Sequence, residues 1–194
     1  MPSNTSHQKT ADAFSQLLET ARALHGPGGC PWDRAQTVRS LLPHLVEETW
    51  EVFCAVRRRR NRELEEELGD VLYTVLFLTL LAERRRHFTL ASLLRKTNQK
   101  MRRRHPHVFG TRHARTADEA YQQWQDAKQQ ERKQQPSPSK RLRPLMVALW
   151  NHLAAHPEAA NALEVLLRRA GVLLDARSRI SAAPTRPSGS RVRA

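Results

Sequence analysis

The chain has 194 residues, 39% of them hydrophobic, and a formal net charge of +14. That length suits one domain plus appendages and is enough to bury a core. Residues 1–10 are polar, with no apolar leader. The apolar run from Val71 to Ala82 has 12 residues, two of them threonine, too few to span a bilayer. Cys30 and Cys54 make no disulfide framework, and a reducing, cytoplasmic setting is expected.

Taken in order, residues 1–10 are expected to be disordered. Apolar positions at Phe14, Leu17, Leu18, Ala21 and Leu24 recur at helical spacing and predict a helix over 11–25. Gly26-Pro27-Gly28-Gly29 ends it, and Cys30-Pro31-Trp32-Asp33 reads as a turn. A short helical piece over 37–42 leads to Pro43, which suits the first turn of a helix to about Arg60. Asn61 is a plausible N-cap for a helix over 62–86. The first half of that helix is acidic and its second half is apolar nearly all round. Such a helix belongs at a bundle centre or in a subunit interface.

Thr89 begins a helix to about Arg104, broken by His105-Pro106-His107. Thr116-Ala117-Asp118-Glu119 is a capping box for a helix to about Lys133. No stretch alternates with period two for long enough to argue for a sheet. The expected fold class is therefore all-α. The expected organisation is a domain over 11–133, a linker over 134–143, a helical extension over 144–175 and a disordered basic tail over 176–194.

Charge is unevenly placed. Eight of the 19 acids fall between Glu47 and Asp70, whereas Arg84 to Arg115 holds 11 Lys/Arg and no acid. Glu47, Glu48 and Glu51 project from one helix within an arc of roughly 100°, and Glu67 and Asp70 lie side by side on the next. If the two helices pack antiparallel, four or five carboxylates converge. Like charges that close disfavour joint ionisation. A hard divalent cation such as Mg²⁺ relieves the conflict, because it takes oxygen ligands. An acidic pocket beside a basic stretch suits a metal–phosphate ligand. The same charge also gives nonspecific attraction to nucleic acid.

Glu63, Glu65 and Glu66 lie in a first helical turn, where acids complement the helix dipole, and are read as structural. His44, His105 and His107 are also read as structural, since no second nitrogen or sulfur ligand stands at zinc spacing. Trp50 points off the acidic face and is expected in the core. Trp32 either lines a nucleotide pocket or pins the glycine-rich loop. Cys30 has no evident base beside it and is read as a small packed residue.

Four segments occur in order: Cys30-Pro31-Trp32-Asp33, Glu47-Glu48-x-x-Glu51, Glu67-Leu68-Gly69-Asp70 and Arg103-Arg104-His105-Pro106-His107-Val108-Phe109. Together they resemble the MazG-type nucleoside triphosphate pyrophosphohydrolases, from about Phe14 to Lys133. The resemblance implies an all-α, MazG-like helical bundle that dimerises, and Mg²⁺-dependent hydrolysis of a nucleoside triphosphate to monophosphate and pyrophosphate, with Mn²⁺ as an alternative ion. By motif position it implies Glu48, Glu51, Glu67 and Asp70 as metal ligands, with Glu47 beside them to bind a second ion, orient water or accept its proton. Lys100 and Arg104 match the family's basic pair for phosphate oxygens, and Trp124 and Lys128 its later Trp-x-x-x-Lys segment. Trp124 would stack on a base, as aromatic faces accept any base.

The chain departs from the pattern in its basic connection Arg57–Arg62 and in everything after Lys133. The competing expectation is a catalytically degenerate bundle that binds nucleic acid or a protein partner through its basic surface.

Overall fold

The computed structural model describes residues 4–134, 148–149, 151–153 and 155–169. The linker expected over 134–143, apart from Gln134, and the basic tail expected over 176–194 lie outside the described residues. So does part of the expected 144–175 extension. Among the described residues every regular element is a helix. None of these helices is long and apolar enough to cross a membrane.

The chain divides into two compact units, Met1–His87 with Asn161–Ala194, and Phe88–Ala160. That division falls inside the stretch 11–133 that the sequence suggests is one domain. It comes where the apolar face of a long helix runs out after Ala82 and Arg86 takes a left-handed backbone conformation, φ 58°.

In the first unit, α1 spans Asn4–His25, α2 Pro31–Ala35, α3 Leu42–Arg58 and α4 Asn61–Arg84. Helix α1 starts at Asn4, so residues 4–10 are helical rather than disordered. Its polar first turns are held locally: Gln8 Nε2 donates to Asp12 at 2.8 Å and the Thr10 hydroxyl to the Ser6 carbonyl at 3.0 Å. The turn after α1 needs Gly28, whose φ of 78° is strained for any side chain. Pro31-Trp32-Asp33 winds into α2 rather than a simple turn, with Pro31 in the first helical position. Within 37–42, expected as a short helical piece, residues 38–41 form a turn tied by Thr37–Ser40 hydrogen bonds, and Leu42 already begins α3.

Helix α3 packs along α4, and α1 contacts α2 and α4. Leu41, Phe77 and Leu81 form a buried cluster, with Trp32, Val38, Tyr73 and Leu78 packed around it. Burying a side chain the size of Phe77 stabilises by roughly 1.5–3 kcal/mol. The His25 ring lies 3.7 Å from that of Phe77, and burial depresses its pKa. Trp50 is buried against Phe53, as expected for core. Helix α4 is not covered on all sides. Thr74, Leu76, Phe77 and Thr79 to Ala82 are buried, but Leu68, Leu72 and Val75 are 51%, 49% and 42% exposed. Leu42 and Val46 on α3 are exposed too.

In the second unit, α5 spans Leu90–Arg104, α6 Pro106–Phe109 and α7 Ala117–Gln134. The Thr89 hydroxyl caps α5 by accepting the Ser92 N–H at 3.1 Å. Thr116 likewise accepts from the Glu119 N–H, while the Glu119 carboxylate accepts the Arg115 N–H at 2.7 Å, one residue before the usual box partner. Helix α5 packs on α6 and α7, and α6 on α7. Helix α8, Pro157–Arg169, lies within the expected extension.

Candidate functional site

Helix α3 presents Glu47, Glu48 and Glu51, and α4 presents Glu67 and Asp70. Packing of α3 on α4 brings one carboxylate oxygen each of Glu48, Glu67 and Asp70 within 4.8 Å of one another. Glu48 and Glu67 are half-buried and Asp70 is exposed, so the cluster opens to solvent on one side. Glu51 joins it through a hydrogen bond between its carboxyl group and that of Glu67. Burial, then the charge and hydrogen bond of Glu51, then Asp70 and Glu66, push the Glu67 pKa up to about 7. The donors are all oxygen, and their mutual repulsion is what a hard divalent cation relieves.

Glu47 does not join the three. It is 2% exposed, and its Oε2 lies 3.9 Å from His44 Nδ1. A one-residue step along a helix turns a side chain by roughly 100°, and here that step takes Glu47 into the protein. His44 in turn meets the Trp32 ring edge-on at 5.8 Å between centroids. Trp32 therefore packs between the core cluster and His44. Glu63, expected as a helix-dipole acid, is paired with Arg60.

The second unit gathers a basic and aromatic cluster. Trp124 on α7 has Lys128 Nζ 4.2 Å from its ring centroid and the Arg104 guanidinium at 5.8 Å. Lys128 is only 8% exposed, so its ammonium group caps the ring rather than reaching into water. The Tyr121 ring stacks on Trp124 at 6.0 Å. His105, His107, Ala120, Tyr121 and Trp124 line an open cavity of about 310 Å³. Lys100 stands one turn before Arg104, half-buried.

Arg104 is already engaged by Glu131, through Nε at 3.0 Å and a second short contact, and Arg103 reaches the same carboxylate at 3.3 Å. Burial alone would raise the Glu131 pKa, but the two guanidinium groups outweigh it and lower it. Sequence reasoning passed over Glu131. Its signal was available: Tyr121, Trp124, Lys128 and Glu131 recur at steps of three and four along α7, one helical face.

Paired helices that bring acidic side chains together within an all-α fold define a class, helical proteins equipped to hold a hard divalent cation. Comparison with known proteins narrows the class. Residues 36–109 match the MazG nucleotide pyrophosphohydrolase domain. The chain is 41% identical over 137 residues to the nucleoside triphosphate pyrophosphohydrolase/pyrophosphatase MazG of Thermotoga maritima, a match covering 70% of this chain and 52% of that protein. It is 36% identical over 122 residues to the nucleoside triphosphate pyrophosphohydrolase of Escherichia coli, covering 62% and 46%. A crystal structure of a MazG-related protein from Thermotoga maritima aligns with a TM-score of 0.51 at 33% identity, over 59% of this chain and 98% of that one. The chain belongs to the MazG nucleotide pyrophosphohydrolase family. It spans about half the length of these two curated relatives.

Proposed function

We propose that this protein hydrolyses nucleoside triphosphates, ribo or deoxy, to the monophosphate and pyrophosphate, using Mg²⁺ held by Glu48, Glu67 and Asp70 with Glu51 beside them. The observation that carries this reading is the approach of the three carboxylate oxygens to within 4.8 Å across two helices. Such a group fits Mg²⁺ or Mn²⁺ better than Zn²⁺, which favours nitrogen and sulfur. When bound, the ion supplies charge neutralisation and a template for phosphate oxygens.

The chain's own groups do the rest. Helical backbone fixes the carboxylates, so little reorganisation accompanies the developing charge. Glu67 would hold the ion as a carboxylate, without its proton. Lys100 and Arg104 are read as contacts for phosphate oxygens, and Trp124 with Lys128 as the platform for a base. Glu47, buried against His44, takes a positioning role in this reading rather than receiving a proton from water. The exposed Leu68, Leu72 and Val75 support a homodimer formed over α4. Cys30 and Cys54, both free, suit a cytoplasmic setting.

The test is incubation of the purified protein with Mg²⁺ and each common NTP and dNTP, with products separated by anion exchange. Equimolar monophosphate and pyrophosphate support the proposal. Diphosphate and orthophosphate would place the protein in another hydrolase class, and no turnover with any substrate would return it to the non-catalytic reading.

A further inference from the structure

We propose that the second unit carries a binding surface for single-stranded nucleic acid, built from Arg95 and Arg102 on α5 and Phe109 on α6. Arg95 and Arg102 are seven residues apart, two helical turns, and share one exposed face. Among the described residues neither is in an ion pair. The Arg102 guanidinium lies 4.4 Å from the centroid of the Phe109 ring. Phe109 is 51% exposed and its neighbour Val108 63%. Arg112 and Arg115 follow, also exposed. The whole stretch from Arg84 to Arg115 contains no acid.

An open aromatic ring beside guanidinium groups is the combination that recognises an unpaired base joined to phosphates. The ring offers a stacking face to any base, and the arginines meet the backbone oxygens. In a duplex the base faces are already stacked, so Phe109 gives a duplex nothing. An acidic peptide or a plain polyanion would use the arginines and ignore the ring. Lys100, Arg104, Trp124 and Lys128 are not part of this surface, so turnover and nucleic-acid binding are separable.

The test uses the full chain and a fluorescein-labelled 12-nucleotide poly(U), with a 12-base-pair duplex and heparin as comparisons, all followed by anisotropy across a salt series. The single strand is expected to bind best. Phe109→Ala should weaken it by about fivefold or more, the low end for loss of one stacking platform, with little change for heparin. Arg95→Gln with Arg102→Gln should reduce the log–log salt slope by about 1.4, from ~0.7 per neutralised phosphate on single strands. NTP turnover should match wild type in both variants. Equal binding of duplex and single strand, full affinity in Phe109→Ala, or an unchanged salt slope in the double variant would each overturn the proposal.

Discussion

Glu67 on α4 shares a carboxyl–carboxyl hydrogen bond with Glu51 on α3, and its pKa is pushed up to about 7. Burial contributes most, and the neighbouring charges of Glu51, Asp70 and Glu66 add to it. The two helices thus meet across a hydrogen bond between two groups that would repel if both ionised. A cation held here as proposed would compete with this proton, so its binding would be linked to pH.

The first prediction is a pH-dependent stability that the ion removes. Folded Glu67 keeps its proton to about pH 7, whereas its ordinary value is 4.5. Between those values the folded state binds more protons than the unfolded one, so stability from this group falls as pH rises through the window. Thermal melts in chelator should decline from pH 4.5 to 7, and added Mg²⁺ should raise the Tm more at pH 8 than at pH 5.5. Equal Mg²⁺ shifts at both pH values would count against the proton linkage.

Removing ligand charge should separate stability from activity. Glu67→Gln and Asp70→Asn are each expected to lower kcat by roughly 10²-fold or more, the scale for losing one preorganised electrostatic contact. The same variants should melt no lower than wild type in chelator at pH 8, because they relieve repulsion. Steady-state kinetics with paired calorimetry checks both halves. A variant that keeps the wild-type rate removes its residue from the site.

Glu131 should stabilise the second unit through Arg104. That pair is 16% and 26% exposed, so its contribution is about 1 kcal/mol, the upper end for partly solvated pairs. Since the Glu131 pKa is lowered, the stabilisation is present above the ordinary value of 4.5 and lost as pH falls through the folded pKa. Denaturant titration of Glu131→Gln should show the deficit at pH 7 and its disappearance in acid. A constant deficit at both pH values would point to packing instead.

The exposed face of α4 should drive self-association. Leu72→Glu places a charge midway between Leu68 and Val75, and multi-angle light scattering is expected to show a dimer for wild type and a monomer for the variant. A monomeric wild type at micromolar concentration would contradict the dimer.

Much of this was legible because helical period is a local signal. Apolar spacing located most of α1, and Pro43, Thr89 and the Thr116–Glu119 capping box marked the starts of α3, α5 and α7, while the offsets among Glu48, Glu51, Glu67 and Asp70 foretold the cluster. What sequence could not show depends on distant packing. Helical spacing put Glu131 on one face of α7 with Tyr121, Trp124 and Lys128, but its pairing with Arg104, 27 residues earlier, depends on how α5 packs on α7. Glu47 and Glu48 look alike in sequence, yet helix rotation buries the first and aims the second at the site. The polar start of α1 hid its helix, since residues 5–10 bury no face and are held by local bonds alone. The apolar stretch of α4 suggested a bundle centre or a subunit interface; the described chain buries its Thr79 to Ala82 end and leaves Leu68, Leu72 and Val75 exposed.

The account turns on whether the facing acids of α3 and α4 hold one divalent ion. Titrating Mn²⁺ into metal-free protein while following the free-ion electron paramagnetic resonance signal reads this without any substrate. Wild type is expected to bind Mn²⁺ in at least stoichiometric amount, with affinity falling about tenfold or more in Glu48→Gln, Glu67→Gln and Asp70→Asn. Mn²⁺ binding that is absent in wild type, or unchanged in all three variants, would contradict it.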